Sequence, residues 1–498
     1  MTAVLALDQG TTGSTALVLA SDGRVLGRGY RELPQHYPAP GQVEHDPDDI
    51  LRVTLEAARD ALSRAAVTPV ALGITNQRET VCVWDRATGR PLHRAIVWQD
   101  RRTAARCAEL ARQRRTALVR ERTGLLLDPY FSATKIEWLL RHVPEVARRV
   151  RAGDAVFGTV DAWLLYRLTN GRAFATDHTN AARTMLYDIG RRAWDDDLLA
   201  LFGVPRESLP DVRDSSGPFG TTAGEHLGVE LPVTGIAGDQ QAALFGQGAW
   251  RAGQAKNTYG TGAFLLLHTG DRRAESKRGL LTTLACGARG EPAYALEGSV
   301  FIAGAAVQWL RDGLGIIATA AETERLARDV PDTGGVYFVP AFVGLGAPHW
   351  EPQARGTIVG LTRGTGRAHV VRAALEAMAF STKEVLDGMT DDADLRLAAL
   401  QVDGGASAND WLMQFQADLL GTPVLRPDVV ETTALGAAGL AGLAAGVWRG
   451  AEEFIAGRTF RRFVPGDQAT AVRAREADWR RAVATTLHWA AGAGRSRA

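Results

Sequence analysis

The chain has 498 residues, 57 basic against 56 acidic side chains, a net charge of +1 and 46% hydrophobic residues. At about 100–200 residues per domain this length implies more than one core, and near-neutrality argues against a nucleic-acid partner. The basic residues are nearly all arginine: the lysines are Lys135, Lys256, Lys277 and Lys383, none follows a glycine, and a P-loop of the GxxxxGK[ST] type is therefore excluded.

The first predicted elements are strand, turn and strand. Residues 4–7 are apolar, Asp8-Gln9-Gly10-Thr11-Thr12-Gly13 follows, and residues 14–19 are again strand-like. With no basic start and an aspartate at position 8, no secretory signal is expected. Strand-like runs recur at 70–74, 81–84 and 95–98, and helical stretches are predicted at 102–118 and 136–140. Glycines cluster at Gly246, Gly248 and Gly253, which places a boundary near 246–252 and divides the chain into lobes of residues 1–248 and 249–498. The second lobe opens as the first does, with Asn257-Thr258-Tyr259-Gly260-Thr261-Gly262 leading into Ala263-Phe264-Leu265-Leu266-Leu267, a pattern expected of an ancient duplication. Beyond it lie a strand at 337–340, a long helix at 368–387, a strand at 397–402 and an amphipathic helix at 410–420. Such alternation predicts an α/β protein of two similar lobes with a cleft between them. The uncharged stretch 432–448 is mostly Ala and Gly, short of the ~18–20 strongly apolar residues that span a bilayer, so it is predicted as a buried helix without membrane insertion. Three distant cysteines without a CxxC favour neither disulfides nor a thiolate metal site and fit a cytoplasmic setting.

Three glycine-rich turns and two polar strand ends carry the chemistry. Asp8 before a loop of amides and hydroxyls suits a Mg²⁺–phosphate complex, and a second Gly/Thr tip on the other lobe would let the two grip a polyphosphate. Val402-Asp403-Gly404-Gly405, between strand and helix, lets backbone approach a base or phosphate. Arg78-Glu79 ends one strand, and Asp239-Gln240-Gln241 stands at a helix start after another. Together they offer donors and acceptors for a small polyhydroxy compound, with Trp98, Tyr130 and Phe264 available to cover its C–H face.

Taken together, these segments resemble the glycerol kinases of the sugar and polyol kinase family that shares the actin/hexokinase-like, ribonuclease H-like fold. The resemblance runs from Leu7-Asp8-Gln9-Gly10-Thr11-Thr12 to about Phe463. Its distinguishing segments are Asn76-Gln77-Arg78-Glu79 and Gly238-Asp239-Gln240-Gln241. It implies two lobes, each a mixed sheet flanked by helices, and ATP-dependent phosphorylation of glycerol to sn-glycerol 3-phosphate in the cleft. It implies that Arg78, Glu79, Tyr130, Asp239 and Gln240 hold glycerol between Trp98 and Phe264. It further implies that Thr11, Thr12, Gly13, Thr261, Gly304, Gln308, Gly405 and Asn409 line the ATP site, that Asp8 orients Mg²⁺ and that Asp239 is the catalytic base. Relatives assemble, so a homodimer or homotetramer is expected.

The sequence departs from the family where Gly13-Ser14-Thr15 replaces Ser-Ser-Arg, removing an arginine from the phosphate loop. Glu230 stands where enteric relatives end their fructose bisphosphate loop in arginine, so that inhibition is not expected, and the tail after Phe463 departs from the segment that binds a phosphotransferase regulator. Two other readings use the same nucleotide core: another polyol or ketose kinase, and a protein-binding ATPase, which leaves Arg78, Glu79, Trp98 and Asp239 without a role.

Overall fold

The computed structural model describes residues 2–429 and 431–493. In the first lobe, strands β1 (Ala3–Gln9), β2 (Gly13–Ala20), β3 (Val25–Glu32), β4 (Ala71–Asn76), β5 (Ser216–Thr221) and β6 (Pro232–Gly238) form one sheet in the order β5-β6-β4-β1-β2-β3. The second sheet holds β7 (Gln254–Tyr259), β8 (Ala263–Gly270), β9 (Leu281–Cys286), β10 (Pro292–Val300), β11 (Ala399–Asp403), β12 (Val424–Pro427) and β13 (Phe460–Phe463), ordered β9-β10-β8-β7-β11-β12-β13. Both sheets share one plan. An antiparallel meander (β1-β2-β3; β7-β8-β10) has its first strand continued by two parallel strands (β4 and β6; β11 and β12) and then an antiparallel edge (β5; β13). The second sheet differs by the extra strand β9. The two Gly/Thr-tipped hairpins at 10–12 and 260–262 are thus equivalent turns of two related lobes.

Each lobe has its own core. Leu5, Leu7, Val18, Leu72 and Ile74 bury one face of the first sheet, and Ala255, Tyr259, Leu265, Leu267, Leu400 and Val402 one face of the second. Four helices bear on the cleft: α1 (Asp239–Gly246), α2 (Gly304–Asp312), α3 (Asp410–Leu420) and α4 (Thr432–Ala444). The uncharged stretch is α4, buried as predicted, but it crosses back to pack on the first sheet. Added Cβ atoms at Gly73 and Gly235 would lie 2.2 Å from the Ala437 carbonyl oxygen and 2.5 Å from the Ala441 nitrogen. The helices α1 and α4 also meet backbone to backbone, since a Cβ at Gly436 would stand 1.8 Å from the Ala242 carbonyl oxygen. Gly436→Val is therefore expected to separate α1 from α4 and lower stability by about 1–3 kcal/mol or more, read as a fall in melting temperature.

The predicted helix 102–118 is two helices, Ala104–Arg112 and Thr116–Thr123. They break at Gln113-Arg114-Arg115, all exposed, with no apolar side chain to anchor another turn, and Arg114 takes φ +60°. All three cysteines are buried and free. Among the described residues, no helix is long and apolar enough to cross a membrane.

Candidate active site

The alternation of strand residues explains which side chains reach the cleft. On β7 and β8, Ala255, Tyr259, Ala263, Leu265 and Leu267 enter the core of their own lobe, so Lys256, Thr258, Phe264 and Leu266 take the opposite face. Register then places Lys256, Leu266 and Glu297 in one row across β7, β8 and β10, and Thr258, Phe264 and Ser299 in the next row toward the tip. This face looks across to α1, whose first residue is Asp239.

Asp239 meets the strand end that carries Arg78. The Arg78 Nε lies 3.2 Å from Asp239 Oδ1, which also accepts from the Gln240 backbone N–H at 2.7 Å. Burial pushes the Asp239 carboxyl above its ordinary value, against the pull of the Arg78 guanidinium and the Gln240 amide. Its side chain nonetheless keeps 30% exposure to the cleft, whereas Arg78 keeps 2%. Beside it, Glu79 is buried with φ +61°, a conformation that costs a non-glycine residue about 1–3 kcal/mol. The Ser132 hydroxyl donates to its carbonyl oxygen at 3.0 Å and holds the turn.

Tyr130 and Trp98 pack together, their rings edge to face with centroids 5.5 Å apart, and the Arg183 guanidinium carbon stands 5.8 Å from the centre of the Tyr130 ring. The segment bearing Tyr130 is fixed by Lys135, buried, whose Nζ donates to the carbonyl oxygens of Pro129 (2.7 Å), Tyr130 (2.6 Å) and Phe131 (3.2 Å). The Trp98 indole N–H donates to Thr11 Oγ1 at 2.9 Å, joining the aromatic wall to the first hairpin tip. Gln240 accepts from the buried Lys256 ammonium, which also donates to Thr258 Oγ1 at 2.9 Å; burial lowers Lys256 to about 8, against Asp403 and Asp239.

The first tip is closed by the Gly10 N–H donating to the Gly13 carbonyl at 2.9 Å, leaving Thr12 exposed and Thr11 half-buried. Gly13 opens β2, where a Cβ would lie 2.5 Å from the Arg31 carbonyl oxygen and 2.7 Å from the Tyr30 hydroxyl, so a serine does not fit there without repacking. Asp8 pairs with Thr15 across the hairpin. Burial, and then repulsion from Asp239 and Glu431, raises its carboxyl from 3.8 to about 7.

Across the cleft, Thr261, Gly304, Gln308, Gly405 and Asn409 line a single cavity of about 420 Å³. The Gly304 amide donates to the Gly260 carbonyl at 3.0 Å, seating the N-terminus of α2 on the tip. Asn409 caps α3 by accepting from the Leu412 N–H at 2.9 Å, and Gly404, at φ +84°, passes the strand over Tyr259 without room for a Cβ. Ala406, Val307 and Leu375 supply the apolar part of the wall.

The chain as a whole has relatives among known proteins. The sequence profiles of the N-terminal and C-terminal domains of the FGGY family of carbohydrate kinases match residues 3–246 and 255–445. The glycerol kinase of Alkalilimnicola ehrlichii is 58% identical over 493 residues, 98% of this chain and 99% of its own length. The chain belongs to the glycerol kinases of the FGGY family. Glycerol kinase 2 of Thermotoga maritima is 54% identical over 98% of this chain and 99% of its own. The crystal structure of Plasmodium falciparum glycerol kinase with ADP superposes with a TM-score of 0.93 at 36% identity, covering 98% of each chain.

Four buried charged residues packed among these side chains were not singled out from the sequence: Lys135, Arg183, Lys256 and Glu297. Arg183 is fully buried, its guanidinium carbon 5.2 Å from the centre of the Phe131 ring, and its Nε donates to Glu79 Oε1 at 2.7 Å. Glu297 accepts from Arg78 Nη1 and Nη2 at 2.7 and 3.0 Å and from Arg183 Nη2 at 2.9 Å. The signal for Glu297 was present, as the one charged residue in the strand PAYALEGSV.

Proposed function

We propose that the protein transfers the γ-phosphoryl group of ATP directly to a primary hydroxyl of glycerol, with Asp239 as general base. The observation that supports this reading is a partly exposed carboxylate, Asp239, beside Arg78 and Gln240 and near enough to Asp8 of the first hairpin to repel it, while the tip of the second hairpin opens on the cavity of Thr261, Gly304 and Asn409. In this reading Arg78, Glu79, Tyr130 and Gln240 orient the acceptor hydroxyls, and Trp98 and Phe264 flank its carbons. Asp239 takes the hydroxyl proton as the oxygen bonds to phosphorus and the bridge to the leaving ADP breaks. The raised carboxyl of Asp239 suits that task, since a base nearer working pH holds the proton better. Burial raises the Tyr130 hydroxyl too, so it serves as a neutral hydrogen-bond partner. Thr11, Thr12, Gly13 and Thr261 face the phosphates, and Gly304, Gln308, Gly405 and Asn409 the nucleoside.

The donor set fits Mg²⁺. Asp8 sits in the negative field of Asp239 and Glu431, and among the described residues no cluster of three ligating side chains forms an all-protein cage. Mg²⁺ is commonly held by one or two carboxylates together with substrate phosphates. Bound there, it would neutralise charge on the phosphoryl oxygens; Asp8 would hold it. Since only the ionised carboxylate binds a cation, Mg²⁺ affinity in the ADP complex is expected to strengthen as pH rises through about 7, by about ten-fold between roughly pH 6 and 8. Calorimetric titration checks this, and an equal affinity at both pH values in the unaltered protein would remove Asp8 from the role.

Lobes of 1–248 and 249–498, a cytoplasmic setting and a homodimer or homotetramer complete the proposal; light scattering tests the last. The decisive assay is ADP release with glycerol, dihydroxyacetone, xylulose or no acceptor. Glycerol is expected to accelerate it most, and no acceleration over the blank would overturn the assignment.

A further inference from the structure

The acceptor side of the cleft holds a charged cluster only part of which touches the space assigned to substrate. Arg78, Glu79, Arg183 and Glu297 are 3%, 1%, 0% and 4% exposed. Three belong to the first lobe, and Glu297 reaches in from β10 of the second. Its Oε1 accepts from both arginines and its Oε2 from Arg78, so one carboxylate bridges two guanidinium groups. The chain of contacts runs from Asp239 through Arg78, Glu297 and Arg183 to Glu79, and the Arg183 guanidinium carbon stands 5.8 Å from the centre of the Tyr130 ring. Both ends of this chain, and Tyr130, are residues of the proposed acceptor site.

The fork geometry decides what the bridge does. An arginine offers five N–H donors in one plane and pairs most strongly when two of them meet one carboxylate. Glu297 takes that bidentate position on Arg78, leaving the Nε side for Asp239. With Glu297 absent, the fork of Arg78 keeps the long 3.3 Å contact from Nη1 to Gln241 Oε1 but loses both charge-assisted bonds, and can turn onto Asp239 or Glu79 and occupy the oxygens that would receive the substrate hydroxyls. Arg183 is held by one contact to each carboxylate, Nε to Glu79 Oε1 at 2.7 Å and Nη2 to Glu297 Oε1 at 2.9 Å, while its buried Nη1 has no hydrogen-bond partner among the described residues, so loss of Glu297 leaves this guanidinium a single anchor.

We propose that Glu297 and Arg183 are positioning residues of the acceptor site: Glu297 locks Arg78 beside Asp239 and Arg183 beside Glu79, so the pocket for a small polyol is completed by both lobes. This rests on the acceptor reading above. The bridge acts on the polyol side and leaves the cavity of Gly304 and Asn409 untouched, which gives it a kinetic signature.

Steady-state kinetics of Glu297→Gln, with glycerol and ATP varied separately, test it. The variant keeps the shape of the side chain and loses the charge; its glycerol KM is expected to rise about ten- to a hundred-fold while the ATP KM stays within about two-fold. Calorimetric glycerol binding to the ADP complex is expected to weaken by a similar factor, with a melting curve establishing that the variant is folded. Unchanged glycerol KM, or glycerol and ATP KM rising together, would overturn the proposal. If Glu297→Gln does not fold, Arg183→Lys, which retains the charge and loses the fork, decides by the same split. Glycerol-dependent turnover in the unaltered protein with insensitive variants overturns this proposal alone, whereas absence of glycerol dependence in the unaltered protein overturns the acceptor reading and this proposal with it.

Discussion

Asp239→Asn is expected to lower kcat by about 10²–10⁴-fold while glycerol binding stays close to that of the unaltered protein. The local geometry makes this separation possible. Asp239 Oδ1 accepts from the Gln240 N–H and faces Arg78 Nε, and an asparagine carbonyl oxygen can take both of those contacts. What asparagine loses is basicity, the property that matters when the acceptor hydroxyl gives up its proton. The residual rate should then lack the acid limb that Asp239 imposes on kcat, because no group at that position titrates. Turnover near that of the unaltered protein, or a glycerol affinity that collapses with kcat, would remove Asp239 from the role of base. The helix start itself should survive, since α1 is held by backbone contact with α4 at Gly436 and not by this carboxylate.

How far the sequence led can be judged from particular residues. The tips at 10–12 and 260–262 were legible because glycine and threonine at a strand end leave few alternatives to a turn, and the fold sets both at equivalent positions of two related sheets. Of the eight residues expected at the nucleotide, Thr261, Gly304, Gln308, Gly405 and Asn409 fall around one cavity, whereas Thr11, Thr12 and Gly13 are not among its lining residues. Periodicity alone gave no reason to join them; the family resemblance did. Periodicity failed most clearly at 102–118, where a run of helix-forming residues concealed a left-handed turn at Arg114. Arg183 and Glu297 stayed hidden for a different reason. Their function is a contact made across more than a hundred residues and between two lobes, so neither has a local pattern to carry the signal. Lys256 was visible only as one of four lysines, and its meaning depends on β7 alternation turning it toward Gln240 and away from its own core.

The charges around Arg78 give a second large effect. Arg78→Met is expected to reduce kcat/KM for glycerol by more than about 10³-fold and to move the acid limb of kcat to higher pH. The direction follows from the balance at Asp239, where burial raises the carboxyl and Arg78 is the leading opposing influence. Without that cation the base binds its proton more tightly, so a higher pH is needed to free it. Glu297 would suffer as well. Although burial raises it, Arg183 and Arg78 bring its carboxyl from 4.5 down to about 2, and losing one of the two leaves a buried charge half compensated. Some loss of stability therefore accompanies the change, of a few kcal/mol for a broken buried pair, and a melting curve must precede the kinetics. Arg78→Lys separates the two contributions. An ammonium restores positive charge near Asp239 but cannot span both oxygens of Glu297, so it should return the acid limb toward its original position while the glycerol KM remains high. An acid limb that fails to move in Arg78→Met, with the protein folded, would mean that this guanidinium does not set the basicity of Asp239.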